Sequence, residues 1–337
     1  MLLQDASEYV IRSRFKNHAS NEAASLYHAN KEFKNNQKNS LKKLKINGAV
    51  VEDATVIEAE VTKFFHALFN GYHDTNLVNT GIPFVPDFSS LDSYLSGLGS
   101  LPDLVRDGME NDILMEELSD IIKECENNKS PGLDGLSYEF YKKTFELIQE
   151  DFLEVLQCQL NRKKIVDSNR EGVTRLAPKV DGVPAVDELR PITLLNADYK
   201  ILSKWFVKRM KPVLHYIIKS GQLCIVGKNI HFGVSNILSS IFCIKQQQLH
   251  ACLISLDFFK AYDRVLLDFL IKVMAKMNFS SVFTSWILML HEGARTRFIL
   301  GVLSASIEVR FSIRQGRRVI HWQCCYTSSM WSLYWLL

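Results

Sequence analysis

Apolar residues recur at helical spacing in several separate segments of the chain. Ile57, Val61, Phe64 and Leu68 follow one another at steps of four, three and four, which places them on one stripe of a helix. Asp53 stands where such a helix would be capped. Just before it, Asn47-Gly48 is a strong turn dipeptide with strand-like flanks. Ahead of that, a Lys-rich helix is predicted from Ser20 or Asn21 to about residue 40. Residues 71–108 are rich in Gly, Pro, Ser and Asp without a period, and read as a linker. Leu114, Leu118, Ile121 and Cys125 restore the helical spacing until Pro131, Gly132 and Gly135 break it. Tyr141, Phe145, Ile148, Phe152 and Val155 then share one face of a long helix.

The second half alternates more. Two β-like runs flank Asp181-Gly182 and predict a hairpin. A helix follows over residues 197–218, which Pro212 kinks or splits. Another is predicted over 232–249, with Val234, Ile237, Leu238 and Ile241 turned inward. The run 251–256 is almost wholly apolar and predicts a strand buried on both faces, ending at Asp257. Helices near 266–277 and 281–294 come next, then a hairpin pairing Arg297–Leu303 with Ile307–Ile313. Helices outnumber strands and the two are not regularly interleaved, which predicts an α+β fold and not a doubly wound sheet. No internal repeat is visible.

Composition adds less than charge distribution does. A chain of 337 residues has room for two or so domains, and 47% hydrophobic with 23% charged residues is ordinary for a globular protein. The net charge is only +3, yet residues 161–220 carry 13 Lys/Arg against 6 Asp/Glu. Residues 81–126 are acidic, with 2 against 11. A basic central segment suits a polyanion, although a solvated basic face is the plainer reading. The seven cysteines have no framework spacing and no CxxC pair, so neither a secreted disulfide scaffold nor a zinc site is signalled. The N-terminus has no apolar stretch of signal-peptide length, and Arg317, Arg318, His321 and Gln323 interrupt the apolar tail. The expectation is an intracellular protein, nuclear or cytoplasmic, with no membrane span.

Four short pieces could carry chemistry. A carboxylate at the end of a buried strand, Asp257, is costly unless cations or donors compensate it, although a helix cap would also explain it. The stretch NKSPGLDGLSYEFY is a tight turn between helices, with Ser137 as a cap. In LRPITLLNADYKIL, Arg190 precedes a proline and is therefore extended. Its guanidinium can offer a fork of donors to phosphate, and Lys179 sits on the opposite arm of the same hairpin. Two surface cations on a hairpin are, however, common. FSIRQG ends an apparent strand at Gln315 and Gly316.

Taken in order, NKSPGLDGLSYEFY, LRPITLLNADYKILSKWFVKRM, ISLDFFKAYDRV and FSIRQG resemble the reverse transcriptase of non-LTR (LINE-type) retrotransposons. The resemblance runs from about Ser119 to Gly316, and residues 8–70 resemble the helical region ahead of that domain. It implies a right-hand polymerase: a helical N-terminal region at 1–70, a linker at 71–112, fingers and the first part of a palm at 113–316, and an atypical tail at 317–337. It implies that Lys179 and Arg190 bind the triphosphate of an incoming deoxynucleotide. Asp257 and the carbonyl of Phe258 would bind Mg²⁺, with Asp257 catalytic. Tyr262 would crowd the sugar 2′ position and exclude ribonucleotides, and Gln315 and Gly316 would pack beside nucleotide and template. RNA template and DNA primer are the implied partners. Nucleotidyl transfer of this kind uses two divalent ions, which a single aspartate cannot hold. The family takes its other carboxylates from an Asp-Asp hairpin after the glutamine-glycine pair. This sequence has no adjacent Asp-Asp, and no carboxylate follows Glu308. The tail, RRVIHWQCCYTSSMWSLYWLL, lacks the acidic residue and proline that usually follow and points to a shifted reading frame. The chain thus reads as clipped at both ends, without the thumb, and catalytically incomplete alone. The alternative is a non-catalytic RNA/DNA-binding remnant.

Overall fold

A computed structural model describes residues 41–70, 93, 95, 97–218, 230–255, 267–299 and 306–309. The predicted helix over 20–40 lies outside them, as does most of the predicted linker. The chain divides into two compact units. The first comprises Met1–Phe64, Thr174–Ile192 and Arg297–Glu308, and the second comprises Phe65–Val173, Thr193–Thr296 and Val309–Leu337.

In the first unit, β1 (Leu44–Ile46) and β2 (Ala49–Val51) pair antiparallel, Leu44 opposite Val51. Asn47 (φ 50°) and Gly48 (φ 86°) close the predicted turn, both in the left-handed region that a two-residue hairpin loop favours. Asp53 starts α1 (Ala54–Asn70): its Oδ1 accepts from the backbone N–H of Thr55 at 2.8 Å and of Val56 at 3.3 Å. The hydrogen bond from the Thr55 hydroxyl, then those two, hold this carboxyl below its ordinary pKa. Along α1, which the division of the chain cuts after Phe64, Ile57, Val61, Phe65, Ala67 and Leu68 are buried, so Phe65 and not Phe64 completes the stripe. The larger sheet has the order β4-β3-β5-β6, from β3 (Glu171–Pro178), β4 (Leu189–Leu194), β5 (Arg295–Ile299) and β6 (Ser306–Val309).

The second unit is mainly helical. Its elements are α2 (Asp103–Gly108), α3 (Met115–Glu124), α4 (Tyr138–Arg162), α5 (Ala197–Met210), α6 (Leu214–Ile217), α7 (Ile230–Gln246), α8 (Leu267–Lys276) and α9 (Ser281–His291). The turn α2 is too short to show a period, which is why the sequence there looked featureless. Pro212 splits the predicted helix: α5 ends at Met210, and a 3₁₀ turn, Lys211–Val213, leads into α6. The core is aromatic at its centre. Trp205 and Phe206 meet edge to face at 4.9 Å between centroids, and Phe283 and Trp286 of α9 lie 5.8 Å from Phe206 and Trp205 respectively. The polar tips are satisfied: the Trp286 Nε1–H donates to Leu160 O at 3.0 Å and the Tyr199 hydroxyl to Leu290 O at 3.0 Å. On α4 the buried face departs from the predicted stripe at Val155, which is exposed, and continues through Leu156 and Leu160, which are buried.

Two expectations are overturned in this unit. The helix predicted over 232–249 forms as α7, but Val234, Ile237, Leu238 and Ile241 are exposed, not inward. Residues 251–255 belong to no strand, and Leu253 and Ile254 are 75% and 73% exposed where burial on both faces was predicted. An apolar run marks what could be buried; burial needs a surface to receive it, and among the described residues none covers these positions.

Candidate nucleotide and nucleic-acid site

The sequence assigns its strongest phosphate-binding candidates to one hairpin of the first unit. Burial alternates along both arms. Thr174, Leu176, Leu189 and Pro191 are buried, while Arg175, Arg190 and Ile192 are exposed, as is Lys179 just beyond β3. The Lys179 backbone N–H donates to Glu188 O at 2.9 Å, which sets these two residues opposite each other. Continuing that register puts Arg190 opposite Ala177 on the exposed face. Lys179 and Arg190 are therefore neighbours on one exposed side of the hairpin, Arg190 between the buried Leu189 and Pro191.

The connecting loop is braced. A 3₁₀ turn, Val186–Glu188, folds back so that Glu188 Oε2 accepts from the Ala185 N–H at 2.8 Å. Gly182 sits at φ 102°, a conformation that disfavours a side chain. From outside the hairpin, β1 reaches the loop. The Lys45 N–H donates to Pro184 O at 2.9 Å and Lys45 forms a parallel bridge with Ala185. Sequence reasoning did not find this brace; Lys45 shows no signal, because a backbone contact is indifferent to side-chain type.

A second arrangement lies in the second unit, where the turn from NKSPGLDG docks on the start of α5. A Cβ on Gly132 would lie 2.6 Å from the carbonyl carbon of Leu195 and would overlap Asn196. Asn196 Nδ2 donates to Ser168 O and to Asn169 Oδ1, each at 3.2 Å. Asn169 Nδ2 in turn donates to Asp198 Oδ2 at 2.7 Å. Burial pushes the Asp198 carboxyl above its ordinary pKa, against the hydrogen bonds from Asn169 and Tyr199 that lower it. Lys200 Nζ donates to Ser130 O at 3.2 Å, so α5 holds the turn at both ends.

Asp257, Phe258, Tyr262, Gln315 and Gly316 lie outside the described residues. Among the described residues no three His, Cys, Asp or Glu side chains gather in a way that could hold a metal ion. Nor is any described helix long and apolar enough to cross a membrane.

Residues 177–316 match the family model of reverse transcriptase (RNA-dependent DNA polymerase). That interval contains Lys179, Arg190, Asp257, Phe258, Tyr262, Gln315 and Gly316. Over 272 residues the chain is 28% identical to the Transposon TX1 uncharacterized 149 kDa protein of Xenopus laevis, an alignment covering 80% of this chain and 20% of that relative. The chain spans about a fifth of the length of the relative it matches. Enzymes of this family are generally metal-dependent and act on nucleic acids; the mixed helix and sheet of the described residues fits an α+β fold. The match over residues 177–316 and the likeness to a transposon protein agree with the resemblance of the four motifs to the reverse transcriptases of non-LTR, LINE-type retrotransposons.

Proposed function

We propose that residues 113–316 are the fingers and the first part of the palm of an RNA-directed DNA polymerase, and that this chain alone does not polymerise. The observation that carries the reading is the family match over 177–316, which spans every residue assigned a role. Lys179 and Arg190 hold the triphosphate of a deoxynucleotide. Their exposure on one side of a braced hairpin supports that role, since the backbone that carries both is held while the guanidinium fork and the ammonium stay open to phosphate. Tyr262 crowds the sugar 2′ position, and Gln315 with Gly316 packs beside nucleotide and template. Asp257 and the carbonyl of Phe258 bind Mg²⁺. Two such ions would supply stabilisation of the attacking and leaving oxygens. A single aspartate does not fit that pair, and the sequence has no adjacent Asp-Asp to complete it.

Primer extension on an RNA template, with Mg²⁺ or Mn²⁺, tests this. No template-dependent product is expected from the chain. Product that Asp257→Asn abolishes would overturn the claim of incompleteness while supporting the role of Asp257.

The second reading is a non-catalytic RNA/DNA-binding remnant, favoured by the excess of 13 Lys/Arg over 6 Asp/Glu across residues 161–220. Phosphate contacts release counterions, so its affinity for RNA would fall steeply with salt. Filter binding at two salt concentrations checks this, and absent or salt-independent binding excludes it.

A further inference from the structure

The hydrogen bonds around the β3–β4 loop form a chain that begins outside the hairpin. Residues 180–187 belong to neither strand, so the rung that joins Lys179 to Glu188 is where the hairpin opens. An end rung frays more readily than an interior one, and Arg190 lies two residues further in. Past that rung the loop is held by its own polar groups. The Ala185 N–H donates to Glu188 Oε2 at 2.8 Å, and the Glu188 N–H donates to Ala185 O at 3.1 Å. Glu188 thus joins Lys179 on one side to Ala185 on the other.

The chain of bonds ends on β1, in the same unit. The Lys45 N–H donates to Pro184 O at 2.9 Å, and Lys45 bridges Ala185 in parallel. Within β1–β2, Lys45 stands opposite Val50, between the Leu44–Val51 and Ile46–Ala49 pairs. Antiparallel pairs alternate between bonded and non-bonded, so an N–H spent on Pro184 marks Lys45–Val50 as a non-bonded pair. Breaking the Lys45 bond therefore leaves the β1–β2 ladder in place. β1 can serve as a fixed point because it is itself anchored. Leu44 is wholly buried, Lys43 and Glu52 form an ion pair at 2.6 Å across the open end of the hairpin, and β2 leads through the Asp53 cap into α1. The Lys45 side chain is exposed; the backbone makes the contact.

We propose that β1 is a positioning element of the nucleotide site, and that Glu188 is the positioning residue through which it acts on Lys179. This rests on the reading of Lys179 and Arg190 as triphosphate ligands. The hold is on the Lys179 backbone, so its ammonium stays free to meet phosphate, and a site already ordered loses less freedom on binding. β1 lies ahead of the matched interval 177–316, so the site draws on residues outside it. The Glu188 carboxylate is a negative charge on the residue that faces Lys179, and charge alone would oppose a triphosphate. Positioning and charge therefore predict opposite signs when that carboxylate is removed.

The test uses the full chain and filter retention of labelled deoxythymidine triphosphate, titrated to an apparent Kd. Lys179→Gln is expected to weaken retention about tenfold. Glu188→Ala, which strands the Ala185 N–H, is expected to weaken it about fivefold, the net worth of one hydrogen bond. Glu188→Gln keeps an acceptor for that N–H and should bind as the wild type does, or more tightly. Lys45→Pro removes the β1 donor and should also weaken retention about fivefold. Lys45→Ala keeps the donor and should not. Peptide-level hydrogen exchange supplies a readout without nucleotide: amides of residues 177–190 should exchange faster in Lys45→Pro than in Lys45→Ala. Equal retention by Glu188→Ala and Glu188→Gln overturns the positioning, as does wild-type retention or wild-type exchange in a folded Lys45→Pro chain. In each of those cases a weakened Lys179→Gln still upholds the nucleotide reading. Retention indifferent to Lys179→Gln overturns that reading, and the positioning falls with it. Should Lys45→Pro lack a cooperative melt, the two Glu188 variants decide, since they alter a half-buried side chain and leave the backbone intact.

Discussion

Gly132 shows at a single residue why a loop can be fixed without being regular. Its backbone needs no unusual φ; what it needs is the absence of a side chain. The nearest atoms to a built Cβ include the Leu195 carbonyl carbon at 2.6 Å, which belongs to the backbone and cannot swing aside. Asn196, the other neighbour, is held by Ser168 and Asn169. Gly132→Ala is therefore expected to destabilise the protein by about 1–3 kcal/mol through overpacking, read as a lower melting temperature by circular dichroism. A melt indistinguishable from wild type would show that the turn does not dock as described. Gly135, three residues on, is the control: nothing lies within 4 Å of its Cβ, and its φ of 72° is its sole constraint. In the sequence both glycines look alike, as helix breakers beside Pro131. What separates them is a contact with residues more than sixty positions away, and no local pattern encodes that.

At the scale of elements, α3 and α5 are joined by one guanidinium. Arg209 donates from Nη2 to Glu117 Oε2 at 2.9 Å and from Nε to Oε1 at 3.1 Å, and from Nη1 to Asn111 O at 2.8 Å. Its Cζ lies 4.6 Å from the centroid of the Trp205 ring. Burial pushes the Glu117 carboxyl upward, but the hydrogen bonds from Arg209, the Leu114 N–H and Trp205 outweigh it, and its pKa ends below the ordinary value. The sign follows directly. A carboxyl depressed in the folded state stabilises the fold above its unfolded pKa, and loses that contribution as pH falls through the folded one. Acidification below 4.5 should therefore lower the urea midpoint, and Glu117→Gln should remove part of that fall. Asp198, raised by burial, acts in the opposite direction, so the comparison must be made against the wild type at each pH. Arg209→Ala strands Glu117 and the carbonyl groups of Asn111 and Asp112, and should cost about 3 kcal/mol at neutral pH. Arg209→Lys should recover little, because an ammonium cannot span these acceptors. An Arg209→Ala variant with a wild-type midpoint would refute the clasp. Elements that carry their own stop signals were legible in the sequence: Asn47-Gly48 for the β1–β2 turn, Asp53 for the start of α1, Pro212 for the end of α5. The clasp itself was not, since Arg209 reads simply as one more cation in a basic run.

For the molecule as a whole, the sequence carried the family through the order of four short motifs, while the period of its apolar residues overstated what is buried. Helix α7 makes the difference measurable. Its inward-predicted Leu238 and Ile237 are 61% and 47% exposed. If periodicity were right and these side chains were core, Leu238→Lys with Ile237→Lys would bury two unpaired ammonium groups and abolish a cooperative melt. With both exposed, the same pair should leave the melting temperature within a few degrees of wild type. It should also reduce 8-anilinonaphthalene-sulfonate fluorescence and concentration-dependent light scattering, because contiguous apolar surface of this kind promotes association. The two accounts thus predict opposite outcomes for one double substitution. A collapse of the fold would return α7 to the core that its sequence period describes.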